Sequence, residues 1–151
     1  MDKGIYCLVL RNEACTVTTG ALGPLAFAAG FHVYAGSAQG SGGLQRVQRH
    51  MLLAQDRDRR PKWHIDHLLT SDSFRLVAAI CAPTKQKLEC RLAGALPGSP
   101  VPHFGCSDCS CSSHLFFTPD DPQDKILVAF ERLGLVPVIT TLITPGAKDT
   151  I

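Results

Sequence analysis

Two apolar segments near the start of the chain decide the fold: Gly4-Ile5-Tyr6-Cys7-Leu8-Val9-Leu10 and Phe31-His32-Val33-Tyr34-Ala35-Gly36-Ser37. Both are rich in the β-branched, aromatic and aliphatic residues that are typical of buried strands. Polar residues and glycines separate them, so we expect the two strands to pair antiparallel in one sheet. That pairing would bring the two tyrosines of the chain, Tyr6 and Tyr34, close together.

Length and composition restrict the class of protein. A chain of 151 residues is long enough for one domain with an apolar core. No apolar run is long enough to cross a bilayer, and the first residues lack the layout of a signal peptide. We therefore expect a cytoplasmic protein without membrane contacts, with one domain over residues 1–143 and a flexible tail over residues 144–151.

Further elements follow the second strand. Glycines at 40, 42 and 43 predict a turn, and the apolar spacing after it predicts a helix over residues 44–55. Further along, the patterns predict a short helix after Pro61, a central strand over 74–82, a helix after Thr84, a short strand over 114–117, a last helix over 122–133 and an edge strand over 135–143. Pro137 suits an edge strand because it cannot donate to a sheet.

Positive charge is concentrated rather than abundant, since the net charge is only +2. Residues 46–62 hold six of the 15 Lys and Arg residues and only two acidic ones, and a solvated helix face would explain this as well as a binding surface. Beside the tyrosines, contact with phosphate is the better interpretation. The candidate nucleic-acid contacts are Arg49, Arg57, Arg59, Arg60, Lys62 and His64.

Hydrolysis of a phosphodiester bond needs an activated water, a cation to balance developing charge and control of the leaving group. A tyrosine hydroxyl takes a proton from water only if nearby positive charge favours its phenolate. Arg46, on the predicted helix after the second tyrosine, can supply that charge or hold the phosphate. Glu89 is the best carboxylate for a divalent metal, because Mg²⁺ prefers oxygen ligands.

These residues carry a family resemblance. The ordered segments Gly4-Ile5-Tyr6, Val33-Tyr34-Ala35-Gly36-Ser37, Leu44-Gln45-Arg46-Val47 and Glu89 resemble the motifs of GIY-YIG nucleases. Downstream, Trp63-His64-Ile65-Asp66, Glu89-Cys90, Phe104-Gly105-Cys106-Ser107-Asp108-Cys109 and His114-Leu115-Phe116 resemble the signature of one branch, the DUF123 family.

The resemblance implies an α/β (α+β) fold with a small central three-stranded antiparallel sheet flanked by helices, to which the last helix and edge strand are added. It implies that Tyr6 is a general base or orients water, and that Tyr34 supports it. Arg46 would stabilise the pentavalent phosphate, His50 would lie near the attacking water, and Glu89 would hold one Mg²⁺ or Mn²⁺. A long gap after the second tyrosine segment leaves Arg49 as an alternative to Arg46.

A second cluster, Cys106, Cys109, Cys111 and His114, follows the helix of Glu89. Three thiolates and an imidazole can close a tetrahedral Zn²⁺ site. The alternative is a tight loop whose cysteines make backbone contacts, because the usual two-pair cysteine spacing is absent.

In the short helix after Pro61, we expect Trp63 and Leu68 to pack inward. We expect His64 or Asp66 to brace the pocket through a hydrogen bond.

The sequence therefore favours a metal-dependent endonuclease that hydrolyses DNA. Because family members occur fused to a DNA repair glycosylase, the resemblance implies a role in DNA repair. Two alternatives stay open, a non-catalytic nucleic-acid-binding module and a zinc-braced interaction domain on the same fold. The residues do not distinguish DNA from RNA as the partner.

Overall fold

The fold comes from a computed structural model, and the structure describes residues 2–57, 60–105 and 113–142. The predicted tail lies outside these ranges. Within them the elements, in chain order, are β1 (Gly4–Asn12), β2 (Cys15–Thr18), β3 (Pro24–Phe27), β4 (Gly30–Ala38), α1 (Gln45–Asp56), α2 (His64–Leu69), β5 (Phe74–Pro83), α3 (Glu89–Ala95), β6 (Ser99–Pro100), β7 (Leu115–Thr118), α4 (Gln123–Arg132) and β8 (Val138–Thr141).

The two tyrosine segments pair as the sequence predicts. Strands β1 and β4 run antiparallel, with Tyr6 opposite Gly36 and Leu8 opposite Tyr34. Strand β5 pairs antiparallel with the other side of β1, so β1 lies at the centre. The mixed α and β content that the sequence predicts is therefore confirmed.

The predicted three-stranded sheet is too small. Six strands of the described residues form one antiparallel sheet in the order β6-β7-β4-β1-β5-β8, and β2 pairs with β3 separately. The three central strands are β4, β1 and β5, and β7 and β8 extend them on either side. The extension has a physical reason, because it satisfies backbone groups of β4 and β5 that would otherwise form open edges.

Helices cover both faces of the sheet, so β1 is buried on each side. Ile5, Cys7 and Val9 belong to a core that includes residues of α3 and α4. Tyr6 and Leu8 belong to a second core that includes residues of α1 and α2. Because side chains alternate along a strand, Tyr6 is directed to the face on which α1 and α2 lie.

Helix α1 packs its predicted apolar face, which includes Val47 and Met51, against the core. It also buries His50, although the spacing places His50 with Arg46 on another face. A buried imidazole needs a hydrogen-bond partner, and the hydroxyl of Tyr6 on the sheet provides it. The burial of His50 therefore depends on a contact that the helical spacing does not contain.

The last two elements follow the prediction. Helix α4 buries Ile126 and Phe130, and β8 follows Pro137 at the edge of the sheet. Among the helices of the described residues, none is both long and apolar enough to span a membrane.

Candidate active site

A cavity of about 360 Å³ opens where β1 and β4 meet the first residues of three helices. It brings together four predicted residues that are far apart in the sequence, Tyr6, Tyr34, Arg46 and Glu89. The complete lining is Tyr6, Tyr34, Ser37, Arg46, Lys62, Trp63, His64, Glu89, Gly105 and His114.

Gly36 allows the tyrosine segments to approach each other. It lies opposite Tyr6 in the sheet, and a Cβ at this position would overlap the Cζ and Oη atoms of the Tyr6 ring. The backbone of Gly36 is not in the left-handed region, so the requirement for glycine is one of space. Gly36 therefore leaves the space that the Tyr6 ring occupies.

Tyr6 and His50 form a buried polar pair. The Tyr6 hydroxyl lies 2.8 Å from Nε2 of His50, and the two residues are 1% and 2% exposed. Burial raises the pKa of Tyr6 well above its ordinary value, Tyr34 adds to this, and Arg46 opposes it without cancelling it. Burial also lowers the pKa of His50 to about 4. Near pH 7 the pair is therefore a neutral phenol bound to a neutral imidazole.

Tyr34 is half-buried on the next strand. Its ring centroid lies 6.5 Å from that of His50 and 6.3 Å from that of Phe104, both with near-perpendicular planes. Gly105 packs against it, since a Cβ there would lie 3.3 Å from Cε1 of Tyr34, and its φ of +74° favours glycine. The second tyrosine is thus fixed by aromatic contacts and by a close backbone approach.

Arg46 is held at the cavity wall by two contacts. Its Nη1 donates to the carbonyl oxygen of Ser37 at 2.9 Å, and its Cζ lies 5.0 Å from the centre of the Trp63 ring. That distance suits a cation–π interaction. Arg49 is exposed and does not line this cavity. Of the two arginines that the sequence left open, Arg46 is the one beside the tyrosines.

Trp63 differs from its prediction. It is 39% exposed and forms part of the cavity lining, whereas Leu68 is fully buried as expected. Its ring contacts two cations, because Nζ of Lys62 lies 5.8 Å from the ring centre in addition to Arg46. The indole therefore supports charged groups of the site and is not part of the apolar core.

The start of α2 is fixed by two side chains, which confirms the predicted bracing. One carboxylate oxygen of Asp66 accepts the backbone N–H groups of Lys62 at 2.8 Å and Trp63 at 3.0 Å. Nδ1 of His64 accepts the backbone N–H of Gly105 at 3.1 Å. These bonds fix the segment before α2 and join His64 to the segment after β6, and both segments line the cavity.

Glu89 begins α3, and its side chain is 28% exposed. Its Oε2 lies 3.4 Å from Nδ1 of the buried His114, whose Nε2 lies 3.9 Å from Sγ of Cys90. Burial lowers the pKa of His114.

A partly exposed carboxylate on a cavity wall has the chemistry that Mg²⁺ and Mn²⁺ prefer. Among the described residues, no group of three or more His, Cys, Asp or Glu side chains is placed to hold a metal. A single carboxylate fits Mg²⁺, which keeps several waters.

A comparison with protein families matches this chain over residues 5–135 to the model described as "Domain of unknown function DUF123". The chain belongs to the DUF123 family. The match includes every residue that lines the cavity. No curated protein and no solved structure matches the chain. In this DUF123 protein, the cavity itself is therefore the feature that indicates a function.

The predicted zinc ligands fall in two groups. Cys106, Cys109 and Cys111 of the DUF123 domain lie outside the described residues. His114 is described, and its neighbours are Glu89 and Cys90. The zinc site stays a prediction.

The predicted nucleic-acid contacts are dispersed. Lys62 and His64 line the cavity, while Arg49 and Arg60 are exposed elsewhere and Arg59 lies outside the described residues. Arg57 forms an ion pair of 2.5 Å with the exposed Asp72. That pair lines a wider cavity of about 750 Å³ at the far end of β1 and β5, which holds none of the four central residues.

Sequence reasoning missed several parts of the site in this DUF123 protein. Ser37 contributes a backbone oxygen, and Gly105 contributes an N–H and a close approach, so neither has a side-chain pattern to recognise. His114 was assigned only to zinc. One signal for Trp63 was available, since an aromatic residue directly after a lysine at the start of a helix is a place where a cation can stack.

Proposed function

We propose that this DUF123 protein is a divalent-metal-dependent endonuclease-like domain that hydrolyses phosphodiester bonds in DNA, in a DNA repair context. The observation that carries the proposal is the convergence of Tyr6, Tyr34, Arg46 and Glu89 on one cavity. The same convergence, together with the antiparallel β4-β1-β5 centre, supports membership of the GIY-YIG superfamily.

Arg46 provides the phosphate contact in this proposal. The bond to Ser37 uses one guanidinium donor, and a guanidinium has five. Its planar fork matches phosphate oxygens and stabilises the negative charge that grows on them during attack. Lys62, also on the cavity wall, adds positive charge.

Tyr6 and His50 act on the attacking water. With its proton on Nδ1, His50 accepts the Tyr6 O–H at Nε2, which leaves the lone pairs of the Tyr6 oxygen as acceptors for a water. Because the pKa of Tyr6 is raised, Tyr6 orients the water as a phenol and does not act as a resting phenolate. As the water oxygen bonds to phosphorus, the bond from phosphorus to the leaving sugar oxygen breaks and that oxygen departs with the electron pair. The proton of the water passes to the Tyr6 oxygen while the Tyr6 proton passes to Nε2 of His50.

Glu89 would hold Mg²⁺ or Mn²⁺, which when bound supplies a Lewis acid for the phosphate oxygens and the leaving group. The carboxylate can be reached from the cavity because its side chain is partly exposed there. The buried His114 beside it limits the directions in which the carboxylate can turn.

A non-catalytic nucleic-acid-binding module is the second candidate, and the state of Tyr6 favours it. A phenol that is 1% exposed with a raised pKa is a poor base. Binding needs only the cationic side of the cavity, which Arg46 and Lys62 provide.

Incubation with nicked, branched and plain duplex DNA, in Mg²⁺, in Mn²⁺ and with a chelator, tests the proposal. The nuclease assignment predicts cleavage of at least one substrate that the chelator abolishes. Binding that weakens steeply with salt, without cleavage in either metal, would instead select the binding module.

A further inference from the structure

His64 has one ring nitrogen committed to the protein backbone. Its Nδ1 accepts the N–H of Gly105 at 3.1 Å, and its ring lies 5.4 Å from that of Phe104, which is fully buried. Gly105 is held in turn by its close approach to Tyr34 and to the Cβ of His114. The imidazole is thus fixed in orientation on the wall of the cavity that Arg46 and Glu89 share.

The contact with Gly105 determines the tautomer of His64. A backbone N–H can only donate, so Nδ1 must present its lone pair and carry no proton. A neutral imidazole has one N–H, which is then on Nε2. Protonation of Nδ1 would place two donors against each other and break the bond to Gly105. The ring is therefore held as a neutral group that can donate a hydrogen bond from Nε2 and cannot accept one there.

We propose that His64 uses its Nε2–H to bind a phosphate oxygen in this cavity, as a neutral hydrogen-bond donor beside the cationic Arg46. A neutral donor at His64 would let the site hold a phosphodiester oxygen without adding a further full positive charge to those of Arg46 and Lys62. The inference deepens the proposed function and rests on it for the identity of the phosphate as that of a nucleic acid.

The position of His64 agrees with this role. It follows Lys62 and Trp63 directly, and all three line the cavity together with Arg46. A residue that only braced the segment after β6 would need one acceptor for the N–H of Gly105. It would not need a second polar group. His64 combines the acceptor that Gly105 requires with a donor on the other nitrogen.

Two substitutions separate the bracing from the donation. In His64→Asn the amide oxygen can take the place of Nδ1 and accept from Gly105, but the donor at Nε2 is lost. In His64→Gln the longer side chain can place an N–H near the position of Nε2, at the cost of the acceptor for Gly105. His67→Gln on the same helix, outside the cavity lining, is the matched control.

The test measures binding of inorganic phosphate to the intact protein by NMR, with ¹⁵N-labelled histidine, for the wild type and the three variants. We expect the free protein to show the Nε2–H tautomer at His64, and phosphate to shift this nitrogen. We expect His64→Asn to weaken phosphate binding about tenfold, with His64→Gln within about threefold of the wild type and His67→Gln unchanged.

Wild-type affinity in His64→Asn, a proton on Nδ1, or no phosphate binding by the wild type would each overturn the inference. Failure of the nuclease proposal is distinguishable from these results. Phosphate binding through His64 in a protein that cuts no DNA would support the inference and reject the nuclease.

Discussion

The hydroxyl of Tyr6, near the start of β1, lies 2.8 Å from Nε2 of His50 on α1, and both residues are buried. This contact joins the central strand to the first helix beside the cavity. A buried hydrogen bond between neutral groups keeps its geometry better than a solvated one, because water does not compete for the bond between the two partners. The proposed role of Tyr6 in orienting a water depends on that fixed direction.

Replacement of Tyr6 by Phe removes the hydroxyl and keeps the ring. We expect DNA cleavage to fall by roughly 10²- to 10⁴-fold, the range for loss of a group that transfers or orients a proton. His50 would lose a buried partner, so stability should fall by about 1–3 kcal/mol. Cleavage rates measured beside chemical denaturation separate the two effects. A Tyr6→Phe protein that cleaves DNA as fast as the wild type would remove Tyr6 from the mechanism.

Two buried histidines predict acid sensitivity. Burial lowers the pKa of His32 and of His50 to about 4, from an unfolded value near 6.5. Between these values the unfolded state binds more protons than the folded state, so stability is lost as the pH falls from about 6.5 to 4. At about 1.4 kcal/mol per pKa unit, each histidine contributes roughly 3 kcal/mol to that loss.

Urea unfolding at a series of pH values measures this loss. In the His32→Asn variant the dependence on pH should be shallower, because the Asn amide can take the place of Nδ1, which lies 2.8 Å from Oδ1 of Asn12, and does not titrate. A pH profile of the variant as steep as that of the wild type would show that His32 is not responsible.

The stacking of Arg46 on the Trp63 ring should contribute to the binding of DNA. Replacement of Trp63 by Leu removes the cation–π contact at 5.0 Å, which is worth about 0.5–2 kcal/mol. We expect the protein to bind DNA several-fold more weakly, while Trp63→Phe keeps part of the affinity. Leu52→Ala is the control, because Leu52 is also a large exposed apolar residue but does not line the cavity. Equal affinity of Trp63→Leu and wild type would show that Ser37 alone positions Arg46.

Replacement of Asp66 should destabilise the start of α2. The Asp66 carboxylate caps two backbone N–H groups at the start of α2. Asp66→Ala should lower the free energy of unfolding by about 1–2 kcal/mol. Asp66→Asn should lower it less, because the amide oxygen still accepts. Thermal melts of both variants compare the two losses, and equal losses would argue against a capping role.

The sequence predicted the centre of the molecule well. The strong apolar runs of β1 and β4 are local signals. Their connection, residues 13–29, contains the separate β2-β3 pair and no α-helix, which suits antiparallel pairing. Tyr6, Tyr34, Arg46 and Glu89 were assigned by motif order, and the structure places all four on one cavity. Their catalytic roles stay predictions.

The parts that were wrong depend on contacts between distant residues. Strands β7 and β8 have four residues each. Patterns this short do not indicate which strands they pair with, so the sequence did not predict that both join the central sheet. Burial of His50 requires Tyr6, which lies 44 positions away. Trp63 stands alone at the start of a short helix, where no periodicity indicates whether a side chain faces the core or a cavity.

The most direct measurement compares the initial rates at which the wild type, Glu89→Gln and Glu131→Gln cleave DNA in Mg²⁺. Glu131, exposed on α4, controls for the loss of one carboxylate. We predict that Glu89→Gln loses roughly 10²-fold or more of the rate and that Glu131→Gln keeps it. Equal rates for the wild type and Glu89→Gln would contradict the assignment of this cavity as a metal-dependent nuclease site.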